Sequence, residues 1–99
     1  MITRLVKMTF DPQKVNEFKV IFETYKSAIR HSEGCIHLEL LEGINDKSNV
    51  LFTFSRWNSE EDLNTYRHSS TFKEVWPLTK ALFISKAEAW STKAQEVSI

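Results

Sequence analysis

The stretch from Gly34 to Trp57, GCIHLELLEGINDKSNVLFTFSRW, decides the fold: two apolar, β-rich runs, Cys35 to Leu41 and Val50 to Trp57, are joined by a polar link from Gly43 to Asn49. Alternation within each run predicts a pair of strands. In the first, Ile36, Leu38 and Leu40 share one face and Cys35, His37, Glu39 and Leu41 the other. In the second, Val50, Phe52 and Phe54 oppose Leu51, Thr53, Ser55 and Trp57. Ser59, followed by Glu60, Glu61 and Asp62, supplies a capping hydroxyl and an acidic first turn, so a helix carrying Leu63 and Tyr66 starts directly after Trp57.

Upstream, Ile2 to Phe10 alternates Ile2, Arg4, Val6, Met8 and Phe10 with Thr3, Leu5, Lys7 and Thr9, which predicts a first strand. Asp11-Pro12 offers a cap oxygen and a proline where its missing N–H costs nothing, so a helix is expected to start there. Its inner stripe is Val15, Phe18, Phe22, Tyr25 and Ile29, its outer face is charged, and Gly34 suits the stop beyond it. Downstream, Ser69-Ser70-Thr71 ends one helix and starts another with Phe72, Val75, Trp76, Thr79 and Leu82 inside. Pro77 predicts a kink or break near Trp76. A last strand is expected over Phe83 to Ser91, and the polar residues 92–99 form a tail.

The order β-α-β-β-α-β is that of an α+β, ferredoxin-like split βαβ fold, a four-stranded antiparallel sheet with helices on one face, in a single domain over residues 1–91. The uncovered face is expected to show Leu5, Leu41, Leu51, Trp57, Ile84 and Trp90 among charges. Such a patch fits an interface, and a homodimer joined through this face is the simplest closed solution.

The 13 basic and 13 acidic residues balance, so no bias toward nucleic acid follows. The single Cys35 cannot close an intrachain disulfide, and no Cys or His cluster has metal-ligand spacing. With no signal-like start and no apolar run of roughly 20 residues, a cytoplasmic protein with no membrane segment is expected.

Gly34-Cys35 through Leu38, then Phe52-x-Phe54-x-x-Trp57-x-Ser59-x-Glu61-x-Leu63, Phe72, and Ala87-Glu88-Ala89-Trp90 resemble the antibiotic biosynthesis monooxygenase (ABM) domain over residues 1 to about 91. The resemblance implies a dimeric α+β barrel and, from the family's best-known activity, oxygenation of quinol or polycyclic aromatic substrates with no cofactor. Two positions depart from the family pattern. Tyr66 stands where many members carry a histidine, and Thr71 where a second often precedes the phenylalanine matching Phe72. Against the haem-degrading branch, Val6 takes the place of an asparagine and Trp76 that of the proximal histidine, and an indole cannot ligate iron; His68 is the nearest histidine in sequence.

Tyr66 is therefore the candidate for orienting or deprotonating a phenolic substrate, unless its ring only fills the core. Trp57, Trp76 and Phe22 are candidate walls for a small aromatic ligand, or plain core. His37 and Glu39 share a strand face, where the carboxylate can orient the imidazole for acid–base work. With Lys7, Lys86 and Glu88 they read equally as a polar network within a dimer interface. Arg67 and His68 are expected at the surface and Cys35 as a buried, inert thiol. A dimeric ligand-binding or structural module without catalysis remains the alternative, since fold alone does not choose.

Overall fold

A computed structural model describes residues 1–95 and 97; Glu96, Ser98 and Ile99 of the expected tail lie outside the described residues. Four strands, β1 (Ile2–Thr9), β2 (Cys35–Glu42), β3 (Val50–Trp57) and β4 (Glu88–Thr92), form one sheet in the order β2-β3-β1-β4, every neighbouring pair antiparallel. Three helices, α1 (Val15–Arg30), α2 (Glu60–Arg67) and α3 (Ser70–Lys80), complete the α+β ferredoxin-like fold. Among the described residues no helix is long and apolar enough to cross a membrane.

Local chemistry sets the boundaries. The Asp11 carboxylate accepts from the Gln13 N–H at 3.0 Å, but what it opens is a 3-10 turn over Pro12–Lys14, and α1 proper begins at Val15. Ser59 Oγ accepts from the Asp62 N–H at 3.1 Å and Ser69 Oγ from the Phe72 N–H at 3.2 Å, so each hydroxyl satisfies an orphan donor at the start of its helix. Gly34 turns the chain from α1 into β2 at φ +80°, and a Cβ there would run into the Asp62 side chain.

Several elements differ from the sequence reading. Ile36 is an extra residue in β2: Cys35 pairs with Trp57 and His37 with Arg56, so this bulge puts Cys35 and His37 on opposite faces. Leu51 and Trp57, expected on the uncovered face, are 0% and 1% exposed on the helix side, and Phe52 and Phe54 lie on the open face with Leu5, Leu41 and Trp90. β3 is apolar on both sides, so alternation alone does not say which side the helices cover. Pro77 does not break α3, which continues to Lys80; the exposed Lys73, whose carbonyl Pro77 cannot bond, can turn to water instead. The last strand is shorter at its start. Phe83 makes an isolated bridge to Phe10, and pairing resumes at Lys7 with Glu88. Three steps on β1 face five on the returning chain, so two surplus residues loop out. At the other end Thr92 belongs to β4, its hydroxyl donating to the Thr3 carbonyl at 3.0 Å.

The helix–sheet layer has two clusters. One packs Met8, Phe10, Phe18, Leu51 and Leu82, with Phe10 stacked on Phe18 at 4.4 Å between ring centres. The other joins Cys35, Trp57 and Leu63, with Ile2 and Tyr66 against them.

Candidate active site

A cavity of about 280 Å³ lies between helices and sheet, its wall running from Trp57 and Leu63 to Phe18 and Phe22. Its floor is the helix side of the sheet, with Val6 and Met8 of β1, Thr53 and Ser55 of β3, and Ala87 and Ala89 beside and in β4. One wall is a continuous run of rings. Trp57 and Tyr66 stack at 5.1 Å, Tyr66 meets the edge of Phe72 at 5.5 Å, and Phe72 and Trp76 stack at 5.7 Å; beyond the cavity Trp76 meets Phe83 at 5.7 Å. The four-residue spacing of Phe72 and Trp76 places both rings on one side of α3, while the cap at Ser59 sets the turn of α2 that carries Tyr66.

Trp57 is fixed by the bond from its indole Nε1–H to Ser55 Oγ at 3.0 Å and is 1% exposed, so it backs the ring of Tyr66 at the edge of the cavity. Tyr66 is half-buried, and its hydroxyl has no hydrogen-bond partner among the described residues. Burial, and then the nearby Cys35, push its phenol well above its ordinary range. At neutral pH Tyr66 is therefore a neutral hydrogen-bond donor facing the cavity rather than a phenolate. Burial likewise raises the Cys35 thiol, whose Sγ lies 3.6 Å from the His37 carbonyl, consistent with an inert side chain.

The structure brings Tyr66, Trp57, Trp76 and Phe22 to this one cavity. It does not bring His37 there. That side chain lies on the open face, its Nε2 3.1 Å from Glu39 Oε1 and its ring against the edge of Phe54 at 5.8 Å. Lys7 pairs with Glu88 on the same face at 3.7 Å, and Arg56 lies over Phe54 at 5.7 Å. His68 is turned outward, its Nδ1 2.8 Å from the Asn64 carbonyl, beside a shallow outer depression. Among the described residues no three His, Cys, Asp or Glu side chains converge as a metal site would require.

Among the lining residues not named as site candidates from the sequence, the two charged ones are Arg4 and Arg67. Arg67 was expected at the surface; it is exposed, and it also edges the cavity. Arg4 carried a signal, since it is the one charge in phase with Ile2, Val6, Met8 and Phe10 on the covered face of β1.

A four-stranded antiparallel sheet and three helices with a ring-lined cavity between them place the chain in the class of small α+β ferredoxin-like domains. Within that class the sequence pattern of the antibiotic biosynthesis monooxygenase family matches residues 1–76, and the chain belongs to that family. A conserved protein from Methanosarcina mazei superposes with a TM-score of 0.88 at 24% identity, covering 96% of this chain and 94% of that one. An antibiotic biosynthesis monooxygenase superposes at 0.86 with 13% identity over 97% of this chain and 100% of its own. A Mycobacterium tuberculosis protein gives 0.85 and 14% over 99% and 98%. At these identities the likeness is one of fold. No curated protein matches the sequence.

Proposed function

We propose that this chain is a homodimeric, cofactor-free monooxygenase that oxidises a small electron-rich aromatic, a quinol-type molecule of one or two rings, in the cavity. The observation that carries the reading is the cavity itself, about 280 Å³ walled by Trp57, Tyr66, Phe72 and Trp76. That volume is at the low end of ligand pockets, roughly 300–1,000 Å³, which favours a small ring system over an extended polycycle. A quinol, once ionised, is its own reductant: one atom of dioxygen enters the ring, the other leaves as water, and the substrate supplies the electrons. The residues contribute stacking, exclusion of water, and a hydrogen bond from the Tyr66 hydroxyl to a substrate oxygen. Since Tyr66 is held neutral, it orients the substrate through that hydrogen bond rather than abstracting a proton, and the quinol's own proton leaves to water before electrons pass to dioxygen.

The dimer reading is supported by the open sheet face, where Leu5, Leu41, Phe52, Phe54 and Trp90 form an apolar patch edged by the His37–Glu39 and Lys7–Glu88 pairs. Light scattering at micromolar concentration is expected to give the mass of two chains; a stable monomer contradicts it.

A binding module without turnover is the second reading, favoured by one observation: among the described residues no histidine or carboxylate lines the cavity. Haem chemistry has less support, because His68 faces away and Trp76 offers iron no ligand. Oxygen uptake with a hydroquinone- or anthrone-type substrate and no added cofactor separates these. Uptake above the buffer rate supports the oxygenase, whereas binding without uptake supports the module.

A further inference from the structure

The polar end of the cavity is cationic. Arg4 on β1 and Arg67 at the end of α2 both line it, and among the described residues no Asp or Glu does. Arg4 Nη1 donates to Ser91 Oγ at 2.9 Å, a neutral partner, and Arg67 has no ion pair among the described residues. Three lysines outside the cavity do have carboxylate partners: Lys7 with Glu88, Lys19 with Glu42 at 2.7 Å, and Lys26 with Glu23 at 2.6 Å. Burial, then the positive charge of Arg67, lower the proton affinity of the Arg4 guanidinium. A half-buried guanidinium held near a second one, beside apolar space, is unfavourable until an anion arrives. The planar fork of such a group fits a carboxylate with two parallel hydrogen bonds.

We infer that the cavity takes an aromatic acid, a ring of the dihydroxybenzoate type whose carboxylate is held by Arg4 and Arg67 while the ring lies against Tyr66, Phe72 and Trp76. This rests on the reading of the cavity as a ligand site and is independent of whether the ligand is oxygenated. The two arginines set which molecules enter, and the aromatic wall sets how the ring lies.

Calorimetric titration of the full chain with 2,5-dihydroxybenzoate and with its methyl ester tests the assignment. The acid is expected to bind roughly 10-fold or more tightly than the ester, the scale of a charge-assisted hydrogen bond. Arg67→Gln and Arg4→Gln should each erase most of that preference while ester binding stays unchanged. Arg67 is exposed, so its replacement leaves packing alone, and thermal melts check Arg4→Gln. Equal affinities for acid and ester, or a preference that survives both replacements, overturn the inference and leave the cavity reading intact. An arginine-dependent affinity for the ester that rises with pH as its phenol ionises assigns the pair to a phenolate and overturns the carboxylate. Absence of binding by either compound overturns both readings, whereas acid preference without oxygen uptake upholds this inference and defeats the oxygenase alone.

Discussion

Leu51 and Thr53 are neighbours on the same face of β3, yet they sit in opposite surroundings. Leu51 is 0% exposed inside the cluster of Met8, Phe10, Phe18 and Leu82, whereas Thr53 forms part of the floor of the 280 Å³ cavity. One sheet and one layer of helices thus produce a filled end and a hollow end. The filled end is built from aliphatic side chains and phenylalanine, of which Met8 and Phe18 also border the cavity. The hollow end carries Trp57, Tyr66, Trp76 and Arg4, side chains with polar tips. Interiors close up to near-crystalline density when packing is the only demand, so a cavity kept beside a well-filled cluster marks the end at which a ligand is expected.

The largest expected effect lies at the filled end. Phe10→Ala removes a fully buried ring that contacts Phe18 and Phe83, and urea unfolding should show a loss of about 3–5 kcal/mol. Phe72→Ala, at the hollow end, removes a half-buried ring already bordering empty space and should cost clearly less. Equal losses would erase the distinction between the two ends.

Next in size is Tyr66→Phe. It keeps the stack on Trp57 and removes a hydroxyl without a protein partner, so the melt should move little. Oxidation of a quinol should fall about 10²-fold, the scale of losing one preorganised hydrogen-bond donor. Equal rates in the two proteins would make Tyr66 a packing residue.

The smallest effect is in the alkaline limb of stability. Tyr66 ordinarily titrates at 10.0 and its folded value is raised, so the stability carried by its neutral form is complete below pH 10 and is lost as pH rises toward the folded value. Tyr66→Phe should flatten that part of the decline. An unchanged limb would place Tyr66 in a more solvated setting than its stack on Trp57 implies.

The strand–link–strand–helix order was legible because alternation, caps and turn residues agree from Cys35 to Leu63. The choice of covered face on β3 was not, since Phe52 and Phe54 are as apolar as Leu51 and Trp57. No glycine or proline marks Ile36 as a bulge; only the pairing of Cys35 with Trp57 and of His37 with Arg56 reveals it. That extra residue turns Cys35 to the helix side, while His37 keeps the open face with Leu41, away from the cavity. Trp57, Trp76, Phe22 and Tyr66 were legible as aromatic candidates from their spacing, but the approach of α2 and α3 that leaves space between them is a tertiary property. Arg4 was legible in principle, as a charge in phase with an apolar strand face.

The most direct test of the hollow end is to fill it. Thr53→Phe adds a ring to the cavity floor, and Leu51→Phe adds atoms two residues away in the filled cluster. Unfolding and ligand titration of both variants should show Thr53→Phe costing less than about 1 kcal/mol while binding of a small aromatic is lost, and Leu51→Phe costing about 1–3 kcal/mol from overpacking with binding retained. If Thr53→Phe is as destabilising as Leu51→Phe, or binds the aromatic as well as the parent chain does, the cavity is not the ligand site.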